Sequence, residues 1–340
     1  MNAVNRDPMV PFGPDHDELR PSGSAAPSPS SRRRPRRRMT AAVSRPSWER
    51  VSWPDHVREE RLSCGEVRLV EMGTGTPLVL LHGLAGNWQS WLANLSALSA
   101  HHRVIAIDLP GFGHSALCTG AITMEGYADT VVELLDRLGI HRATLIGNSM
   151  GGLITIEAAA RHPERIAAAI LVCSGGIPLT GWRHRLVVIP LLLTLHNLLR
   201  HVGLRRWALA RPWRMRLLAG GIVHRPREVP ALLLSEALSG LGAPGVTAAL
   251  RAGLGYDARR RAPRLTCPTL LLWGREDRVV PLWMGEELHA LIPHSRLVVW
   301  DGVGHCPMLE APERFDELVE SFVAQTAPSE HSTAVGRPSR

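Results

Sequence analysis

The sequence predicts an α/β fold: a doubly wound, mostly parallel sheet flanked by helices, with an inserted helical cap. Short runs of Val, Leu and Ile, apolar on both faces, recur from about Cys64 to Trp300, which suits strands covered by helices on both sides. Longer stretches with helical spacing alternate with these runs. The interval 179–256, apolar and arginine-rich together, falls between two of the strands.

In chain order, strands are expected at 67–71, 78–81, 104–107, 143–146, 168–172, 270–273 and 297–300. Helices are expected at 88–98, 124–138 and 312–324, and along the alanines that lead up to Arg161; Gly139 supplies the stop after the second. With 340 residues, 45% of them hydrophobic, the chain can bury one large core. The expected organisation is a disordered Arg/Pro/Ser-rich tail over 1–48, a core in two parts at 49–178 and 257–326, the helical cap at 179–256, and a second disordered tail at 327–340.

The composition removes several chemistries. No lysine occurs, so all 39 basic residues are arginine, which excludes a P-loop lysine, a pyridoxal Schiff base and every other lysine-based scheme. Cys64, Cys118, Cys173, Cys267 and Cys306 are scattered without C-x-x-C spacing, so neither a metal site nor a disulfide framework is indicated. No cofactor is expected. The N-terminal tail contains Arg32-Arg-Arg-Pro-Arg-Arg-Arg38. A nucleic-acid or membrane arm and a solvated tail without a partner both fit this run, and the solvated tail is the expectation. Residues 39–48 form no continuous apolar segment, so no export signal is read and a cytoplasmic location is expected.

Ser149 lies within Gly147-Asn-Ser-Met-Gly-Gly152, between a strand and a helix. Such a corner aims a serine hydroxyl outward at a helix N-terminus, and the glycines let strand and helix approach closely. A serine nucleophile needs a base whose tautomer is fixed by a third group. His305 stands on a glycine-punctuated loop just beyond the strand at 297–300. Glu276 and Asp277 both follow the strand at 270–273, and the turn from Gly274 with the shorter side chain favours Asp277. The order Ser149, Asp277, His305 suits this architecture. The glycine-flanked turn at 82–86 offers the backbone N–H of Leu84, and the residue after the nucleophile that of Met150, as donors to a developing oxyanion. His82 is expected to brace that turn, and His114 to shape its own loop.

Five motifs in register resemble the α/β-hydrolase fold over about residues 64 to 326: H-G-x-x-G at 82–86, D-x-P-G-x-G-x-S at 108–115, the Ser149 motif, G-x-x-D at 274–277, and G-H-x-P-x-x-E at 304–310. The resemblance implies Ser149 as nucleophile, Asp277 as orienting acid and His305 as base. A serine in the first role disfavours relatives that attack through aspartate. The expected activity is hydrolysis of a lipophilic carboxylic ester. The Ser149 motif also resembles that of hydrolases that cleave carbon–carbon bonds in aromatic meta-cleavage products, but those tend to carry Trp after the histidine, where this chain has Cys306 and Pro307. A non-catalytic binding protein on the same fold is the remaining alternative.

Charge is uneven. Residues 179–256 hold 11 Arg and two Glu, hence +9, and residues 1–38 hold 8 Arg and 4 acids, hence +4; against a total of +8 the rest carries 8 − 9 − 4 = −5. The cap could therefore lie against an anionic membrane, with Trp182, Trp207 and Trp213 near its rim. The plainer expectation is that its leucines simply cover the active site. The partners expected are a small-molecule ester and, peripherally, anionic lipid, with nucleic acid disfavoured and the oligomeric state open.

Overall fold

A computed structural model describes residues 47–118, 120–178 and 189–326. The arginine run at 32–38, the C-terminal tail and Trp182 lie outside the described residues. Eight strands form one sheet in the order β1-β2-β4-β3-β5-β6-β7-β8: β1 Val57–Leu62, β2 Gly65–Met72, β3 Thr76–Leu81, β4 His102–Ile107, β5 Ala143–Asn148, β6 Ile166–Val172, β7 Thr269–Gly274 and β8 Ser295–Trp300. β1 and β2, and β2 and β4, pair antiparallel; every other pair is parallel.

Side chains alternate between two apolar layers, as the period of two along a strand requires. Val79, Leu81, Leu145, Leu271 and Trp273 face the layer made with α2 (Met124–Arg137), α3 (Met150–Arg161) and α9 (Leu282–Leu291). Leu78, Leu80, Ile146, Leu270 and Leu272 face the layer made with α1 (Leu92–Leu98) and α11 (Pro312–Thr326). β5 and β7 are buried at every residue, Thr144, Asn148 and Thr269 included, and their apolar stretches Leu145–Ile146 and Leu270–Trp273 carry the strand signal. Helix α2 starts where the Thr123 hydroxyl accepts from the Gly126 N–H at 2.9 Å, and it stops at Gly139, where φ is 65°.

Two elements carry no apolar-run signal. β1 has four consecutive charged residues, and only Leu62 in it is buried. It is an edge strand whose charges pair laterally, Arg58 with Glu71 and Arg68 with Glu59, as exposed sheet edges require. Helix α9 buries only Met284, Gly285 and Leu288, too narrow a stripe to stand out.

Among the described residues, five further α-helices lie between β6 and β7: α4 Ile189–Leu199, α5 Val202–Leu209, α6 Pro212–Ala219, α7 Ala231–Leu238 and α8 Val246–Gly255. Pro190 does not break α4 but sits in its first turn, where its missing N–H has no helical partner to lose. Met215, Leu233 and Leu234 join one apolar layer, while Val246 and Ala249 join the other, so this insertion packs into both. Among the described residues no helix is long and apolar enough to cross a membrane.

Where α11 meets α1, the buried Asp316 carboxylate accepts from Asn94 Nδ2 at 2.9 Å. Burial pushes its pKa up to about 8, with Glu313 and Glu320 adding to the rise and Asn94 opposing it. A folded-state pKa above the unfolded value means the native state binds the extra proton, so stability is lost as pH rises from about 4 through 8. Asp316→Asn keeps the acceptor for Asn94 without the charge. Its melting temperature should exceed the parent's by a margin that grows between pH 5 and pH 8; an equal margin at both would contradict this origin.

Candidate active site

Ser149 is the hinge between β5 and α3, with φ 53° and ψ −111°, a conformation that L-residues adopt only when the surroundings impose it. Its N–H donates to Val172 O at 2.9 Å, which anchors the corner to β6. The close crossing explains two glycines: a Cβ on Gly147 would lie 2.2 Å from Gly151 O, and one on Gly151 would lie 2.1 Å from Leu81 O. The Ser149 side chain caps no backbone group of α3 and is half-buried, so its hydroxyl is left for chemistry at the positive end of the helix.

Asp277 follows β7 and is held by its own turn. Its Oδ1 accepts from the N–H groups of Val279 and Val280 at 2.8 and 2.9 Å, and its Oδ2 lies 2.7 Å from His305 Nδ1. Both side chains are buried. An ionised Asp277 can only accept there, so Nδ1 carries the hydrogen and Nε2 is left as the basic nitrogen. Glu276 is occupied elsewhere: its Oε2 accepts from Val303 N at 3.1 Å, shaping the stretch before His305.

Three residues without an expected site role hold this loop. Asn148 Nδ2 donates to Val172 O at 3.1 Å and to His305 O at 3.2 Å, tying the backbone of His305 to the residue that precedes Ser149. Glu310 Oε1 accepts from Gly304 N and Cys306 N at 3.0 and 3.2 Å, and its Oε2 accepts from His224 N at 2.7 Å. His305 N donates to Ile222 O at 2.9 Å. The insertion therefore holds the histidine loop at two points, the backbone of His305 and the side chain of Glu310. Asn148 and Glu310 stand in the two motifs that frame the site, but their partners are set by the fold.

Cys173, at the end of β6, places its sulfur within 4.8 Å of one ligating atom each of Asp277 and His305. Burial and then the Asp277 charge push this thiol well above its ordinary range. The Cys173 thiol donates to Gly304 O at 3.7 Å, bracing the backbone just before His305.

The turn at 82–86 abuts the serine, since a Cβ on Gly83 would lie 3.2 Å from Ser149 Cβ. His82 is fully buried and braces the turn: Nδ1 lies 2.7 Å from Gly83 O, and Nε2 accepts from Leu109 N at 3.0 Å. Burial lowers its pKa to about 4, which keeps the ring neutral and able to do both. Asp108 spans the same corner, accepting from Trp88 N and His114 N, both at 2.9 Å; burial lifts its carboxyl to about 6. Among the described residues, neither Leu84 N nor Met150 N has a hydrogen-bond acceptor. The insertion reaches this turn too, with Asn87 Nδ2 donating to Ser239 Oγ at 2.7 Å. A cavity of about 810 Å³ lies apart, between residues 117–118 and 120–125, α8 and residues 256–261, and Ser149, Asp277 and His305 do not line it.

The family model described as the alpha/beta hydrolase fold matches residues 76–312. An uncharacterized hydrolase, YugF, of Bacillus subtilis is 31% identical over 255 residues, 72% of this chain and 89% of that protein. The 2-hydroxy-6-oxo-6-phenylhexa-2,4-dienoate hydrolase of Burkholderia cepacia is 30% identical over 79% of this chain and 94% of its own. A thermophilic esterase from Thermogutta terrifontis superposes with a TM-score of 0.66 at 28% identity, covering 80% of this chain and 99% of the esterase.

Proposed function

Because the chain belongs to the α/β-hydrolase fold family and is a hydrolase of small molecules, we propose that it cleaves a lipophilic carboxylic ester through Ser149, His305 and Asp277. The observation that carries this is the short Asp277–His305 contact together with the Asn148 side chain that joins the His305 carbonyl to the serine corner. Ser149 Oγ attacks the acyl carbon while His305 Nε2 takes its proton. The carbonyl oxygen gathers charge against the N–H groups of Leu84 and Met150. The imidazolium, stabilised by Asp277, then protonates the departing alkoxide and leaves an acyl-enzyme, which a water activated by the same histidine hydrolyses. The helices of 179–256 act as a cap over these strand ends, a role supported by their contacts with the His305 loop and the turn at 82–86.

The likeness to the dienoate hydrolase supports carbon–carbon cleavage as the second reading. The two separate on a substrate panel. Ester hydrolysis predicts turnover of nitrophenyl esters that changes with acyl length and exceeds turnover of a 2-hydroxy-6-oxo-dienoate; the reverse ranking selects the second.

For partners, we infer a peripheral contact of a cytoplasmic enzyme with anionic membrane through α4–α6. Leu191, Leu198, Trp207, Trp213 and Leu217 are exposed there, Leu217 at 75%. The Arg214 guanidinium lies 3.8 Å from the centroid of the Trp207 ring and 5.1 Å from that of Trp213, and the interval carries the +9 counted above. Trp and Arg together suit a bilayer interface. Arg205 is committed to Leu241 O at 3.1 Å, so the charge test falls on the exposed Arg200 and Arg211. Reversing both to Glu should reduce co-sedimentation with anionic vesicles at low salt, at about 1 kcal/mol per removed charge, and leave soluble-ester turnover unchanged. Equal binding of the parent to neutral vesicles would contradict the contact.

A further inference from the structure

We propose that Cys64 and Cys118 form a peroxide-responsive dithiol, which closes to a disulfide and ties the loop after β4 to the β1–β2 turn. Backbone geometry brings the two together. After β4 the chain returns antiparallel to the start of β2: Arg68 N donates to Ser115 Oγ at 2.8 Å, and Ala116 N donates to Glu66 O at 2.8 Å. A Cβ on Gly65 would lie 3.0 Å from that of Ala116. Two residues further, the same run sets Cys118 opposite Cys64, which stands in the turn between the paired Leu62 and Gly65. Cys64 Sγ accepts from Thr130 Oγ1 at 3.8 Å.

Access and chemistry point the same way. Cys64 and Cys118 are half-buried, whereas Cys173, Cys267 and Cys306 are buried. Both line a single cavity of about 320 Å³, room enough for a peroxide. Cys64, whose sulfur receives the Thr130 hydroxyl, takes the attacking role, and Cys118, whose thiol is pushed up by burial and then by the adjoining Cys64, the resolving one.

The Cys64 thiolate attacks one oxygen of hydrogen peroxide, the O–O bond breaks, and the departing hydroxide takes a proton to become water. Cys64 is left as a sulfenic acid. The Cys118 sulfur then attacks the Cys64 sulfur, the S–O bond breaks, and the hydroxyl leaves as water with the Cys118 proton. Two thiols lose two electrons in total, and one peroxide becomes two waters. The loop so tied also carries Leu109, whose N–H holds His82, and Gly111, whose carbonyl accepts from Gly245 N of the insertion at 2.9 Å. The new bond thus links the sheet edge to a segment that borders the site, whatever substrate the site takes.

The test treats the reduced full-length protein with one equivalent of hydrogen peroxide and follows thiol titration and non-reducing peptide mass spectrometry. Free thiols should fall from five to three, and the Cys64 peptide should appear joined to the Cys118 peptide within one chain, reversibly with dithiothreitol. Cys118→Ser should stop at a sulfenic acid on Cys64 that dimedone traps, and Cys64→Ser should leave Cys118 a thiol at the same dose. Sulfinic acid on Cys64 of the parent without the cross-link, a disulfide between two chains, or oxidation of Cys118 in Cys64→Ser would each overturn the proposal.

Discussion

Purified Ser149→Ala is expected to lose ester turnover by about 10⁶-fold in kcat while melting at the parent's temperature. The loss follows because no other group can form the acyl-enzyme from that corner. The fold survives because the serine side chain caps nothing in α3, and alanine keeps the same Cβ at φ 53°. The anchoring bond from residue 149 N to Val172 O is backbone to backbone and is untouched. A fluorophosphonate should label the parent and leave Ser149→Ala unlabelled. Undiminished turnover in the variant would remove the serine, and with it the acyl-enzyme, from the proposed mechanism.

Asp277→Asn should cost roughly 10⁴-fold, for a reason specific to this turn. Oδ1 is bound to two N–H groups, of Val279 and Val280, so the amide oxygen of an asparagine must take that place. Its NH2 then faces His305 Nδ1, which has to become the acceptor, and the ring hydrogen moves to Nε2, where it blocks proton transfer from Ser149. Glu276→Gln provides the contrast. A glutamine oxygen can still accept from Val303 N, so activity should stay within a few-fold of the parent. If Glu276→Gln lost the activity and Asp277→Asn kept it, the acid role would belong to Glu276.

Much of the fold is legible because its signals are local. β5 and β7 are buried along their whole length, so most of their residues are apolar, and Gly139 ends α2 by a conformation that its own missing side chain permits. β1 was not legible, since an edge strand buries almost nothing and its four charges resemble a solvated loop. The tight corner at Ser149 was readable from six residues, because the crowding that demands glycine arises within one strand–turn–helix unit.

The sequence by itself determined the α/β class, the corner that presents Ser149, the absence of lysine chemistry and the concentration of arginine in 179–256. It also favoured Asp277 over its neighbour Glu276 as the acid, and the two turned out to have separate partners, His305 and the Val303 N–H. Only the tertiary structure decided how the pieces are held. Asn148 reaches His305 across 157 positions, and Glu310 reaches His224 across 86. Arg205 is bonded to a carbonyl rather than presented to a surface, and Cys118 comes to line one cavity with Cys64. A hydrogen bond or a thiol pair depends on positions to within a fraction of an ångström. Periodicity and composition constrain each segment separately, whereas such distances arise only when segments far apart in the chain pack against one sheet.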